Sequence, residues 1–258
     1  MAYDAGMLTA VAREIDDFCR GGARVDKVWM PAANEVVLLL HAGRENRRLT
    51  CSASPSAARL TFTSAAKENP LTPPAFCMLL RKYLLGAALT RVRQEGYERV
   101  ARLCFSARDE MGYEAGLYLV CEIMGKYSNL MLLAKDDRIL GVLRPVDFTT
   151  SRLRQVLPGM TYELPPPQAK EDPRAETVER FADRMRAADP AQNAVRYLTD
   201  TYLGTCAQVA RQIVYTAAGD VDLPLGRLRP LLLAEAFCGH HRRLLDGDVT
   251  PTLVTTPD

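Results

Sequence analysis

The stretch "LPGMTYELPPPQAKEDP", residues 157–173, constrains this chain more than any other. Proline lacks a backbone N–H and fixes φ, so five prolines in seventeen residues exclude a helix interior or a central strand. The stretch also marks a change of period. Before it, short apolar runs alternate with a period of two. After it, from Ala175 to about Leu245, apolar residues recur at helical spacing. The pattern predicts an α+β chain, with a β-rich sandwich or open barrel followed by a small all-α region.

Within the first part, residues 4–20 have the amphipathic period of a helix, ended by Gly21-Gly22. Strands are predicted at 35–41, 48–53, 58–64, 88–94, 98–108, 116–124, 130–135 and 139–146, with a tight turn at Glu95-Gly96-Tyr97. A single helix interrupts them at "NPLTPPAFCMLLRKYLLG", residues 69–86. Pro73 and Pro74 suit its first turn and Gly86 its end. Phe76, Leu79, Leu80, Tyr83 and Leu84 share one broad face, which places Arg81 and Lys82 outward. In the second part, helices end on Gly204 and Gly219, with one or two more before residue 246.

Charge is informative by its distribution. The chain carries a net charge of only +2. Between Phe76 and Arg108, however, Arg81, Lys82, Arg91, Arg93, Arg99, Arg102 and Arg108 face only Glu95 and Glu98. A local excess of this kind is either a binding footprint or a solvated surface. Arg81, Lys82, Arg91 and Arg93 are the candidate basic surface of such a footprint. The N-terminus has acids where a signal peptide needs a basic start and an apolar block, which predicts a cytoplasmic protein with no membrane partner. Seven scattered cysteines with no CxxC pair read as reduced, packed thiols.

No catalytic constellation emerges. Cys77 has no histidine near it in sequence, so it is expected to pack. Cys238, His240 and His241 are too few for a structural zinc site, and "HHRR" is expected to offset the dipole at a helix end. No metal or cofactor is expected. Glycine-rich phosphate loops and GxSxG are absent.

Five segments in order, "GGARVDKVWMP", "NPLTPPAFCMLLRKYLLGA", "QEGYERV", "EIMGKYSNLMLL" and "LPGMTYELPPPQ", resemble the N-terminal domain of the NFACT family of ribosome quality-control proteins. "YLTDTYLGTCAQVARQIVYTAAG" is similar to the helix-hairpin-helix module that follows it in that family. The resemblance divides the chain into an NFACT-N domain at 1–168, a Pro-rich linker at 169–175, a helical domain at 176–246 and a tail at 247–258 that ends a fragment. It implies a fold similar to the N-terminal half of formamidopyrimidine-DNA glycosylases. It also implies binding of tRNA, chiefly alanyl-tRNA in bacteria, on a large ribosomal subunit that still carries peptidyl-tRNA. The nascent chain then receives an untemplated tail made by the ribosome's own centre, so the protein is a factor and not an enzyme. The positions that the resemblance ties to tRNA are Asp4, Glu98 and Arg99, with glutamate at 98 where the family has aspartate. Two rivals follow from the same family. Glycosylase chemistry needs an N-terminal proline and adjacent glutamate, and this chain begins "MAYDAG". Fibronectin or fibrinogen binding is an inherited family label, disfavoured by the missing secretion signal.

Overall fold

The computed structural model describes residues 3–108, 112, 114–250 and 252, with the side chain of Glu114 excluded. Its elements fall into two compact units. One carries Val11–Gln168; the other carries Ala169 onward together with the N-terminal residues up to Ala10.

The first unit is a nine-stranded antiparallel sheet with helices at two points. After α1 (Ala5–Cys19) come β1 (Ala23–Ala32), β2 (Glu35–Ala42), β3 (Glu45–Ser52) and β4 (Arg59–Thr63). Then follow α2 (Ala75–Leu84), β5 (Ala88–Gln94), β6 (Val100–Arg108), β7 (Glu114–Glu122), β8 (Asn129–Ala134) and β9 (Ile139–Val142). The strand order is β4-β3-β2-β1-β5-β6-β7-β8-β9. Sequence alternation misses β1, because register shifts at Val25/Lys27 and Trp29/Ala32 interrupt its period.

The sheet closes over its own apolar face. Cys51 on β3 and Cys121 on β7 are both buried and interact, although four strands separate β3 from β7 in the order. The neighbouring Cys51 thiol and burial raise the pKa of the Cys121 thiol, consistent with packing thiols. A second cluster, Val100, Val120, Met131, Leu133, Ile139 and Val142, lies on the opposite face with Val156 and Tyr162. The proline-rich stretch without a period is therefore tied to the sheet. Val156 exchanges backbone hydrogen bonds with Val146, and Tyr162 N–H donates to Asp137 at 2.8 Å.

Helix α2 shows how packing rotates a predicted face. Its buried residues are Phe76, Cys77, Leu80 and Leu84, while Leu79 and Tyr83 are only half-buried. The buried arc is turned toward Cys77, so Arg81, one turn further on, shares its side. Cys77 Sγ and Arg81 Nε both donate to the Val28 carbonyl of β1, at 3.8 and 3.0 Å. Arg81 is thus half-buried and held by the main chain, and does not stand outward with Lys82 as the helical period predicted.

The second unit contains α3 (Val178–Ala187), α4 (Ala194–Thr201), α5 (Ala207–Ala218) and α6 (Pro230–Asp246). Its core is aromatic. Phe181 stacks on Tyr202 with centroids 5.6 Å apart, and Phe237 lies 4.9 and 4.3 Å from them. The Tyr202 hydroxyl donates to the buried Glu176 carboxylate at 3.1 Å. Residues 169–175 hydrogen bond along the end of α4, with Glu171 N–H donating to Thr201 and Lys170 Nζ to Thr199. His241 corrects the dipole expectation. It is 3% exposed, and burial, with His240 adding to it, lowers its pKa to about 3. A neutral imidazole cannot offset a dipole, and Arg243 carries the charge in the last turn of α6.

Candidate nucleic-acid interface

The β5–β6 hairpin brings Arg91, Arg93, Glu98 and Arg99 together. Its turn closes with Glu98 N–H donating to the Glu95 carbonyl at 3.2 Å. Gly96, at φ +60°, takes the first central position, which a side chain would strain. Tyr97 is buried and anchors the turn, leaving Glu98 half-buried and Arg99 exposed. The Glu98 backbone carbonyl accepts from Gln94 Nε2 at 2.8 Å, and its carboxylate accepts from Gln168 Nε2 at 3.5 Å. The Arg99 carbonyl accepts from Ile123 N–H at 2.8 Å. Backbone bonds therefore fix both residues, while the guanidinium of Arg99 projects from the turn.

A bulge sets the outward face of β5. Leu89 and Val92 are buried, and between them both Thr90 and Arg91 are exposed. Strict alternation from Leu89 would aim Arg91 inward; the register shift between Leu89 and Arg91 turns it out beside Arg93. The Val92 N–H donates to Asp16 Oδ1 of α1 at 2.7 Å, so the helix holds the bulge.

Arg102 does not belong to the surface that the charge count implied. It pairs across the hairpin with Arg93 and is 6% exposed. The Glu95 carboxylate lies between the two guanidiniums, 3.3 Å from Arg93 and 2.8 Å from Arg102. Arg102 also pairs with Asp137 and lies over the rings of Tyr118 and Tyr162, at 4.8 and 5.8 Å. The signal was present in the sequence, since Val100 and Arg102 share one side of a strand. The cations left exposed are Lys82, Arg91, Arg93, Arg99 and Arg108.

Arg81 and Lys82 lie on α2, which packs against β1, β6 and β9. Asp4 belongs to the second unit. It is 9% exposed, caps the first turn of α1 through Met7 N–H at 2.8 Å, and accepts from the Cys206 thiol at 3.2 Å. Cys206 caps α5 in turn, accepting from Val209 N–H, and burial raises its pKa. No group of three or more metal-ligating side chains occurs among the described residues.

These observations define an α+β protein that presents arginines from a hairpin whose turn is fixed by backbone bonds, with Arg93 also paired to Glu95. A profile of the NFACT N-terminal and middle domains matches residues 4–256, and the chain belongs to that family. It is 31% identical over 245 residues to the Rqc2 homolog RqcH of Bacillus subtilis (strain 168), covering 94% of this chain and 42% of that protein. It is 36% identical over 167 residues to the Rqc2 homolog RqcH of Streptococcus pneumoniae serotype 2 (strain D39 / NCTC 7466), covering 64% and 30%. The fold matches the fibrinogen binding protein from Staphylococcus aureus with a TM-score of 0.80 at 26% identity, over 95% of this chain and 83% of that one. The chain spans less than half the length of these curated relatives.

Proposed function

We propose that this chain is the tRNA-handling portion of a ribosome-associated quality-control factor. In this reading the full protein acts on obstructed large ribosomal subunits, holds tRNA, chiefly alanyl-tRNA, and supports untemplated tailing of the stalled nascent chain. It works in the cytoplasm and without catalytic chemistry of its own, because the ribosome's centre makes each peptide bond. The observation that carries the reading is the hairpin turn, where Arg99 is exposed and makes no side-chain hydrogen bond or ion pair among the described residues, beside the backbone-anchored Glu98. Arg99 would grip phosphate with its planar fork or stack on a base. Glu98 would accept hydrogen bonds from ribose hydroxyls or base amino groups, which phosphate repulsion leaves as its favourable partners. Arg91, Arg93 and Lys82 would add sequence-independent attraction. Asp4 would act by fixing the start of α1, since its carboxylate is already engaged by Met7 and Cys206.

Fluorescence anisotropy with labelled tRNA at low salt tests this. Replacing Glu98 and Arg99 together by alanine is expected to weaken binding about tenfold, the loss of one or two charge-assisted bonds, with an unchanged thermal melt. Affinity should also fall steeply between about 50 and 200 mM salt, as counterion release requires. Unchanged affinity in the folded double variant would place the tRNA elsewhere. The name of the Staphylococcus aureus relative favours a second reading, fibrinogen binding. Saturable fibrinogen binding by this chain, competed by neither tRNA nor salt, would support it.

A further inference from the structure

A cleft on the polar face of β1–β4 has the makings of a second ligand site. Strand register sets Trp29, Val37 and Thr50 in one row across the sheet. Arg48 and Thr63 form the row on one side, and Glu35 and Arg59, through Ser52, the row on the other. Rows on one face are two residues apart along a strand, about 7 Å. The chain after β4 passes over this face. Its Ala65 and Ala66 line a cleft of about 290 Å³ and are too small to fill it.

The floor is buried and the rim is cationic. Val37 and Thr50 are buried, and Trp29 lines the space as a half-exposed wall. The Glu35 carboxylate is 6% exposed; Lys67 Nζ donates to it at 2.7 and 2.9 Å and Arg59 at 3.4 Å. Arg48 spends one N–H on the Ser64 carbonyl at 3.1 Å, out of the five that a guanidinium offers. Three cations therefore line the cleft against one carboxylate.

We propose that this cleft binds one nucleoside monophosphate unit, its base against the Trp29 indole and its phosphate on Arg48, with Lys67 and Arg59 on the far rim adding long-range attraction. An indole wall beside a row of cations suits a ligand that is flat at one end and anionic at the other, with a short link between. An acidic peptide would answer the cations and leave the indole unused. The volume lies at the small end for ligand pockets, enough for one unit and not for a duplex. Stacking on an aromatic ring tolerates any base. The unit comes either from a free nucleotide or from an unstacked position in an RNA strand. The cleft shares no residue with the β5–β6 hairpin, so the inference stands apart from the tRNA reading of Glu98 and Arg99.

Trp29 is the only tryptophan in the chain, so its fluorescence reports on this cleft. Titration with AMP, with inorganic phosphate and with tRNA is expected to give saturable quenching by AMP, by tRNA or by both. Which of them quenches identifies the source, and the proposal holds in each case. Arg48→Gln should raise the dissociation constant about tenfold, and Ala66→Leu, which fills the cleft from a surface segment, should abolish the response. The Glu98/Arg99 double alanine variant should leave AMP quenching unchanged, which separates failure here from failure of the hairpin reading. Absence of quenching by both AMP and tRNA would overturn the proposal. So would equal quenching by phosphate alone, or an undiminished response in folded Arg48→Gln and Ala66→Leu.

Discussion

Arg99 and Arg102 stand three positions apart in "ERVARL" and have opposite fates. Arg99 is exposed, while Arg102 sits beneath two tyrosine rings between Glu95 and Asp137. Its pKa is raised even though burial opposes the charge, because the hydrogen bonds and charges of Asp137 and Glu95 outweigh that burial. Removing the cation leaves the half-buried Glu95 with only the longer Arg93 pair and takes away the Arg102 partner of Asp137. Arg102→Ala is therefore expected to destabilise the protein by about 3 kcal/mol in urea denaturation. Arg99→Ala should fall within about 0.5 kcal/mol, as for an exposed surface side chain. Equal effects of the two would show that the buried pairs contribute nothing net.

At the scale of elements, the β5 bulge links fold to function. It turns Arg91 outward, and it survives because Asp16 accepts the Val92 N–H that the bulge leaves out of the ladder. Asp16→Ala should cost about 1–2 kcal/mol, the price of a partly buried N–H without its partner. Asp16→Asn keeps an acceptor oxygen and should restore most of the loss in the same melt. If the bulge also sets the Arg91 direction, tRNA affinity should follow stability across the two variants. Helix α2 makes the complementary point, since tertiary packing rotated its buried arc and left Arg81 half-buried on the Val28 carbonyl. Most of the elements were legible in the sequence because alternation and helical period survive in them. β1 was not, because its two register shifts break the period by which strands are recognised.

At the scale of the whole molecule, the two units should answer acid differently. In the helical unit, burial, then His240, lowers the pKa of His241 to about 3, with Asp172 opposing. The unfolded imidazole titrates near 6.5, so between these values the unfolded state binds more protons and stability falls as pH falls. The slope is about 1.4 kcal/mol per pH unit while only the unfolded state is protonated. Urea melts followed by far-UV circular dichroism should show this loss from pH 6.5 downward, and His241→Phe should flatten it. Trp29 fluorescence, which reports the sheet unit, should be insensitive to that substitution. An unchanged acid slope in the folded His241→Phe variant would mean that other groups govern it. Among the described residues no helix is long and apolar enough to cross a membrane.

Periodicity alone determined that this chain holds strands, then helices, with a local excess of cations between residues 76 and 108. Those features are local: the spacing of apolar side chains, the conformational freedom of Gly96 and Gly219, and the missing N–H groups of proline all act within a few residues. Tertiary structure decided which cations reach solvent, how residues 156–162 are tied to the sheet, and that Trp29, Arg48 and Lys67 line one cleft. Each of these depends on partners distant in sequence, such as Val28 for Arg81, Asp16 for the β5 bulge and Glu35 for Lys67. Sequence spacing gives the direction of a side chain relative to its neighbours along the chain, but only strand closure and register set that direction relative to the rest of the molecule.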